Sequence, residues 1–502
     1  MISKPQTLQT GCVVAMSLWL SACIPAHAPV DLAISEPQQF EALNSRATQR
    51  LTKEWPQLFG SKELEGLIVL ALRDNPDIGA ALARIDQSQA LTQQAESLLL
   101  PGINGSFDAG QSMVPGTLKR REPPFNATRS KQFSTGANAS YLLDIWGRYR
   151  SLYNAQQAVA QASIYDHQSV MLATSSAVTN SYFIILSAHD RIALGHENIA
   201  TAQRILDAIR GRLSVGTASA LDVAQQESVL AAQKALIPQL QQQALQTRNQ
   251  LAVLLGRPPQ GFVLSAKSLN SLKVPSVKAG LPSDLLRQRP DIARAEALMQ
   301  AADANVEAGR AAFLPSFSLT ASGGLESMTL KTLLNPHAAA NSLLAGVTQP
   351  LFDGGNLRAQ YQGETAREAE TVANSRKTVL TALSDVENAL VAVEQSRRQE
   401  VLQQEVVTAS RRATMISEER LKAGTIDIVT LLAVQQSLFQ AQENLLSSRL
   451  QRLQASLGLI EALGGGFQNP KDETSPTPAL MTPLKSRDSL PSSSTPSPVE
   501  TP

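Results

Sequence analysis

One pattern is written twice in this chain, in register, and that repetition constrains the fold more than any other feature. "RLSVGTASALDV" (Arg212 to Val223) and "RLKAGTIDIVTL" (Arg420 to Leu431) place the same Gly-Thr turn at Gly216 and Gly424, 208 residues apart. "NPDI" (Asn75 to Ile78) returns as "RPDI" (Arg289 to Ile292), and Leu100–Pro101 returns as Leu314–Pro315, both at an offset of 214. Past that point "WGRYR" (Trp146 to Arg150) matches "GGNLR" (Gly354 to Arg358), and "LLG" (Leu254 to Gly256) matches "ALG" (Ala462 to Gly464), again at 208. An offset that holds over more than 100 residues with a single six-residue shift means an internal repeat whose helices keep their lengths. The length change is confined to the segment between Pro101 and Trp146.

Each half reads the same way. A helix starts at Pro-Asp-Ile, with proline in the first turn and an acid at the positive helix end, and stops at Leu-Pro. Next come short stretches rich in Ser, Thr, Gly and aromatics: "INGSFDAG" and "FSTGANASYLLDIW", then "SFSLTASGG" and "NSLLAGVTQPLF". Their rough alternation predicts two strands joined by a loop in each half. From Gly147 to Val215 the chain then runs 69 residues in helical character, on the order of 100 Å if wholly helical. No compact domain has a use for such a helix. The low aromatic share, 4% against 43% apolar, agrees with long helices rather than aromatic-centred cores.

Behind each Gly-Thr turn the return run carries a heptad stripe: Val223, Leu230, Ile237, Ala244, Leu251, and then Leu431, Leu438, Leu445, Arg452, Leu459. Three residues on, Val434, Ala441, Ser448, Ala455 and Ala462 form a column of small groups. Apolar residues every seven positions make a coiled-coil seam, so each turn caps a long antiparallel helical hairpin. Gly216 and Gly424 can take the left-handed conformation that ends a helix. Pro238 has no counterpart in the second half and predicts a kink in the first hairpin alone.

Four strands per chain raise a physical problem. Alternating strands of about ten residues suit a tilted membrane barrel. Four cannot close one, and open edges in lipid leave unpaired amides at several kcal/mol each. Closure then requires further copies of the chain. The other reading is two soluble hairpins packed on the helices.

The N-terminus reads as an export signal. The apolar "GCVVAMSLWLSA" (Gly11 to Ala22) is too short to span a membrane and right for a signal segment over residues 1–22. No run of 18 or more apolar residues follows it. "LSAC" (Leu20 to Cys23) resembles a bacterial lipoprotein box, which makes Cys23 the lipid attachment site and the lone cysteine of the mature chain. Cleavage after "AHA" (Ala26 to Ala28) is the alternative, disfavoured by Pro29. Ile24 after the cysteine fits sorting to the outer membrane.

Taken together, this box, the doubled "PDI…LP", "LDIWGR" (Leu143 to Arg148), "PLFDGG" (Pro350 to Gly355), the paired "RLxxGT" turns and "ALGGG" (Ala462 to Gly466) resemble the TolC-type outer-membrane efflux proteins. The lipidated outer factors of tripartite pumps are the nearest subgroup. The likeness covers roughly residues 61 to 466. It implies a mainly α fold with a small β part: long coiled-coil hairpins forming an α-barrel tunnel, and a twelve-stranded membrane barrel closed by a homotrimer. It also implies a periplasmic adaptor, an inner-membrane efflux transporter and outer-membrane lipid as partners. The organisation expected is a signal (1–22), a leader (23–60), a first repeat (61–264), a linker (265–281), a second repeat (282–466) and a disordered Pro/Ser/Thr-rich tail (467–502).

A net charge of +1 gives no reason to expect nucleic acid as a partner. No phosphate loop, H-E-x-x-H or G-x-S-x-G occurs, and His189 and His196 lie about 10 Å apart along a helix, too far to share a metal. No enzymatic activity, cofactor or metal is expected. The competing function is a structural coiled-coil lipoprotein without a pore. An adaptor subunit is disfavoured because it would need small barrel domains rather than a doubled four-strand set.

The hairpin turns are the expected adaptor contacts: Leu213, Val215, Gly216, Thr217 and Ser219, with Leu421, Ala423, Gly424 and Thr425. For the periplasmic gate the resemblance implies polar links and an acidic ring. Asp222 fits an acidic linker, with Arg420 as the nearest cation and Asp427 as the nearest acid in the second turn. Thr430 and Ala433 stand where relatives often carry aspartates. Two readings of Asp427 stay open, a threefold acid or a solvated turn residue. A tip closed by apolar packing of Leu421, Ile426 and Ile428 is the alternative gate. The basic loop Leu118 to Lys131 reads either as a contact for lipopolysaccharide phosphates or as a plain solvated loop.

Overall fold

The computed structural model describes residues 52, 54–115, 128–265, 267–277 and 288–468. Cys23, the signal, most of the leader, residues 266 and 278–281 of the linker, most of the basic loop and residues 469–502 of the Pro/Ser/Thr-rich tail lie outside the described residues.

The helices come in matched pairs, as the constant offsets require. α1 (Lys62–Asp74) leads into α2 (Pro76–Ser97), and α5 (Pro290–Ala311) repeats α2 at the same 22 residues. α3 (Arg148–Ser214) and α6 (Asn356–Lys422) are each 67 residues long. Their return partners α4 (Ala220–Leu254) and α7 (Ile428–Ala462) are each 35. Both 67-residue helices begin after a glycine in the left-handed region, Gly147 and Gly355. An aspartate caps each start: Asp144 accepts from the Tyr149 and Arg150 amides, Asp353 from those of Gly355 and Leu357. The Leu357 amide foremost, and then that of Gly355, hold the Asp353 carboxyl below its ordinary range.

The heptad stripe faces inward. Leu230, Ile237, Ala244 and Leu251 are buried in α4. In α7 Leu431 and Leu459 of the stripe are buried and Leu438, Leu445 and Arg452 half-buried, while Ala441, Ser448 and Ala462 of the small-residue column are buried. α4 continues through Pro238 without interruption of its helical span. Beside it Ile237 packs so closely on Gly195 of α3 that a Cβ there would lie 2.7 Å from the Ile237 Cδ1. The two hairpins are joined by Arg191 to Glu443 and by Gln454 Nε2 donating to Asn180 Oδ1 at 2.8 Å. The main core sits where α1 crosses the middle of α3: Trp55, Phe59, Leu64, Tyr182, Phe183, Leu186, Leu251 and Ile460. One 18-residue window of α3 is apolar enough to cross a bilayer on length and composition, yet 56% of it is buried inside this fold.

The repeated Pro-Asp-Ile motif closes each repeat on itself. Asn75 caps α2 and its Nδ2 donates to the Leu254 carbonyl at 2.8 Å, at the end of α4. The equivalent Arg289 donates to the Ala462 carbonyl at 3.1 Å, at the end of α7. Burial alone would lower the Arg289 pKa; Asp291 and Asp385 outweigh it and raise it.

Four strands form one antiparallel sheet in the order β1 (Gly102–Val114), β2 (Thr128–Leu143), β3 (Ser316–Ser327), β4 (Ala339–Thr348). The two repeats meet at β2 and β3. There Gly136 pairs with Gly324 so closely that a Cβ on Gly136 would lie 2.7 Å from the Gly323 carbonyl oxygen. β1 and β4 are left as open edges within the chain.

Candidate functional site: two hairpin tips and a two-faced sheet

The tips are built to one plan. At the first, the Gly216 amide donates to the Leu213 carbonyl (3.0 Å) and the Thr217 amide to that of Arg212 (2.9 Å). At the second, Gly424 donates to Leu421 (3.1 Å) and Thr425 to Arg420 (2.9 Å). These are paired Schellman turns, with Gly216 at φ 75° and Gly424 at φ 69°. Each threonine hydroxyl adds a second bond to the same arginine carbonyl, both at 3.1 Å. That accounts for the Gly-Thr pair: glycine takes the conformation and threonine doubles the cap. Leu213, Val215, Gly216, Thr217 and Ser219 are exposed, as are Ala423, Gly424 and Thr425, while Leu421 is half-buried.

Beyond each turn the next helix is capped by the same two positions with their chemistry exchanged. In the first tip Ser219 is the N-cap, its hydroxyl accepting from the Asp222 amide while Asp222 accepts from the Ser219 amide at 2.8 Å. In the second, Asp427 is the N-cap and accepts from the amide and the hydroxyl of Thr430. Those bonds, the hydroxyl's first, hold the Asp427 carboxyl below its ordinary range.

Within a single chain Asp222 and Arg420, the expected link, form no pair. The Asp222 carboxylate is committed to its own helix start three residues back, and the exposed Arg420 has no acidic partner among the described residues. The link the sequence did not disclose is made by Arg212, whose Nη2 donates to the Leu421 carbonyl at 2.6 Å. It ties one tip to the other through a backbone acceptor, which no pairing of side-chain types can reveal. Asp427 takes the exposed turn position and Thr430 serves as its cap partner. Between the tips lies a cleft of about 400 Å³, floored by Ile205, Ile209, Leu421, Ile428 and Leu431.

At the far end of the molecule the sheet has two chemically distinct faces. Residues paired across a ladder share a face. One face carries Ile103, Ala139, Ala321 and Leu343 on one rung, and Leu143, Phe317 and Val347 on another. The opposite face carries Asn104, Asn138, Ser322 and Ser342 on one rung, and Asp108, Ser134 and Glu326 on another. Hydroxyl pairs zip this polar face, Ser112 to Ser130 at 2.8 Å and Ser322 to Ser342 at 2.7 Å, and Gln132 donates to Glu326 at 2.9 Å. Ile103, Phe107, Leu343 and Val347 are 60% to 73% exposed in the single chain. An apolar outside, a wet inside and two open edges describe an arc of a membrane barrel.

The outer membrane efflux protein family model matches residues 67–257 and 281–465. The chain is 36% identical over 468 residues to the pyoverdine export outer membrane protein OpmQ of Pseudomonas aeruginosa, spanning 91% of this chain and 97% of that one. It is 29% identical over 473 residues to the cation efflux system protein CusC of Escherichia coli, spanning 93% and 100%. The crystal structure of the open state of the Neisseria gonorrhoeae MtrE outer membrane channel matches with a TM-score of 0.79 at 26% identity, covering 89% of this chain and 98% of that one.

Proposed function

Because the chain belongs to the outer membrane efflux protein family, we propose that it is the outer-membrane channel subunit of a tripartite efflux system. It conducts small solutes passively from a periplasmic adaptor and an inner-membrane transporter to the exterior. The observation that carries this reading is the two-faced sheet with both edges open, joined to two helices of 67 residues each. Three copies supply twelve strands, enough to close a barrel around a water-filled lumen. Their six hairpins extend that lumen as a tunnel on the order of 100 Å long.

Relatives named for pyoverdine and for cations share the family. Cargo so different argues that selection occurs upstream, and no cargo preference is assigned to this chain. In this reading the adaptor meets the exposed tip residues, from Leu213 to Ser219 and from Leu421 to Thr425. The closed state is held by Arg212 on the Leu421 carbonyl, with Asp222, Arg420, Asp427 and Thr430 around it. Cys23 carries the lipid anchor, which mass spectrometry of the mature N-terminus tests directly. The decisive experiment is conductance of the purified protein in planar bilayers. Discrete channel openings support the duct; a folded oligomer that never conducts is the pore-free scaffold instead.

A further inference from the structure

We propose that the outward rim of the sheet, at Arg129 and Lys131, binds the phosphate groups of a glycolipid in the outer leaflet. The inference rests on the barrel reading above. From Leu143 to Phe133 the outward positions of β2 are Leu143, Tyr141, Ala139, Ala137, Thr135 and Phe133, and none is charged. The ten residue-to-residue steps of that stretch measure ~33 Å, which at a tilt of about 40° stands ~25 Å tall, the height of a lipid-facing band. The next two outward positions on the same strand are Lys131 and Arg129, paired with Gln111 and Met113 of β1. They are therefore the first residues above the hydrocarbon on the side away from the tunnel, at headgroup level.

Charge on the described strands is sorted by face. Arg129 and Lys131 are the charges on the outward face, while Asp108 and Glu326 both lie on the lumen face. Both cations are exposed and make no ion pair among the described residues. They stand two residues apart, ~6.7 Å along the strand, so both reach one phosphorylated headgroup. An outward acid would offset this field, and the described strands have none there. Guanidinium and ammonium groups at a membrane surface favour anionic lipid, and a phosphate offers the guanidinium two acceptors at once. The outer leaflet of an outer membrane presents phosphorylated glycolipid rather than phospholipid, which fixes the occupant.

The test uses purified full-length protein and native mass spectrometry with three probes at matched amounts: bisphosphoryl lipid A, the same lipid with both phosphates removed, and phosphatidylglycerol. The wild type should retain bisphosphoryl lipid A over its phosphate-free form by on the order of 30-fold. Arg129→Gln with Lys131→Gln should erase that preference while leaving bilayer conductance unchanged. Phosphatidylglycerol retained as well as lipid A would overturn the assignment in favour of a general anionic surface. A conducting wild type whose double variant still prefers bisphosphoryl lipid A to its phosphate-free form sinks this proposal alone. A wild type that never conducts sinks the barrel reading and this one with it.

Discussion

Glycines with positive φ fall into two kinds here, and the difference is measurable. At Gly216 and Gly424 a Cβ would meet nothing within 4 Å, so only the left-handed backbone resists substitution. Gly256 and Gly464, at φ 65° and 81°, also hold the ends of α4 and α7 against the backbone of Asp74 and Gln288, where a Cβ would collide with a carbonyl oxygen. Alanine at either tip should cost about 1 kcal/mol. Alanine at Gly256 or Gly464 should lower the apparent melting temperature further, and thermal unfolding that ranks the tips as the worse sites would contradict this. Aspartate at the tips asks another question: Gly216→Asp and Gly424→Asp should yield folded trimer that no longer exports, and export by both variants would remove the tips from adaptor docking. At this scale the sequence was only partly legible. The Gly-Thr turns announce themselves, and the S-x-x-D spacing of Ser219 and Asp222 is a readable capping signal, yet charge alone had suggested Arg420 as the partner. The Asn75 and Arg289 closures hid because their acceptors are backbone carbonyls 179 and 173 residues away.

Among the elements, α3 is the one that must stay in place, because it carries both the core and the first tip. Its Tyr182 is fully buried, donates to Glu63 at 3.0 Å and lies 3.2 Å from the Ser61 hydroxyl. Burial above all pushes the Tyr182 phenol up to about 12, against about 10 in an unfolded chain. The folded state thus prefers the protonated form. The stability Tyr182 contributes is whole below pH ~10 and is lost as pH rises through about 12. Tyr182→Phe should flatten the loss of stability between those values; a denaturant midpoint that still falls as steeply there would assign the alkaline limb to other groups. Helix lengths were readable without any structure, because offsets count residues. Sheet faces were harder: on β1 and β2 Ala falls on the outward face, Ser on the lumen face and Gly on both, and side chains so small mark a face weakly until the register is known.

At the scale of the whole molecule, equal lengths are a requirement. Two hairpins whose tips end level must keep α3 with α6 and α4 with α7 in step, as 67 with 67 and 35 with 35. Inserting one heptad into both helices of the first hairpin alone would carry its tip ~10 Å past the other and part Arg212 from Leu421. Export should fail although the seven-residue seam is preserved. Matched heptads in both hairpins should restore folded trimers with level tips, visible as a longer particle by electron microscopy. Failure of both designs alike would show that absolute length matters rather than matching.

The open edges of β1 and β4 also bear on kinship. A strand edge offers amides and carbonyls, and those groups are the same in every protein. A cell that makes several members of this family therefore cannot rely on its barrels to keep like with like, since any β4 can hydrogen-bond to any β1. The work of telling self from cousin falls to the long helices, where side chains differ. Mixed trimers should accordingly form or fail on the sequences of α3 to α7, whatever strands they bring.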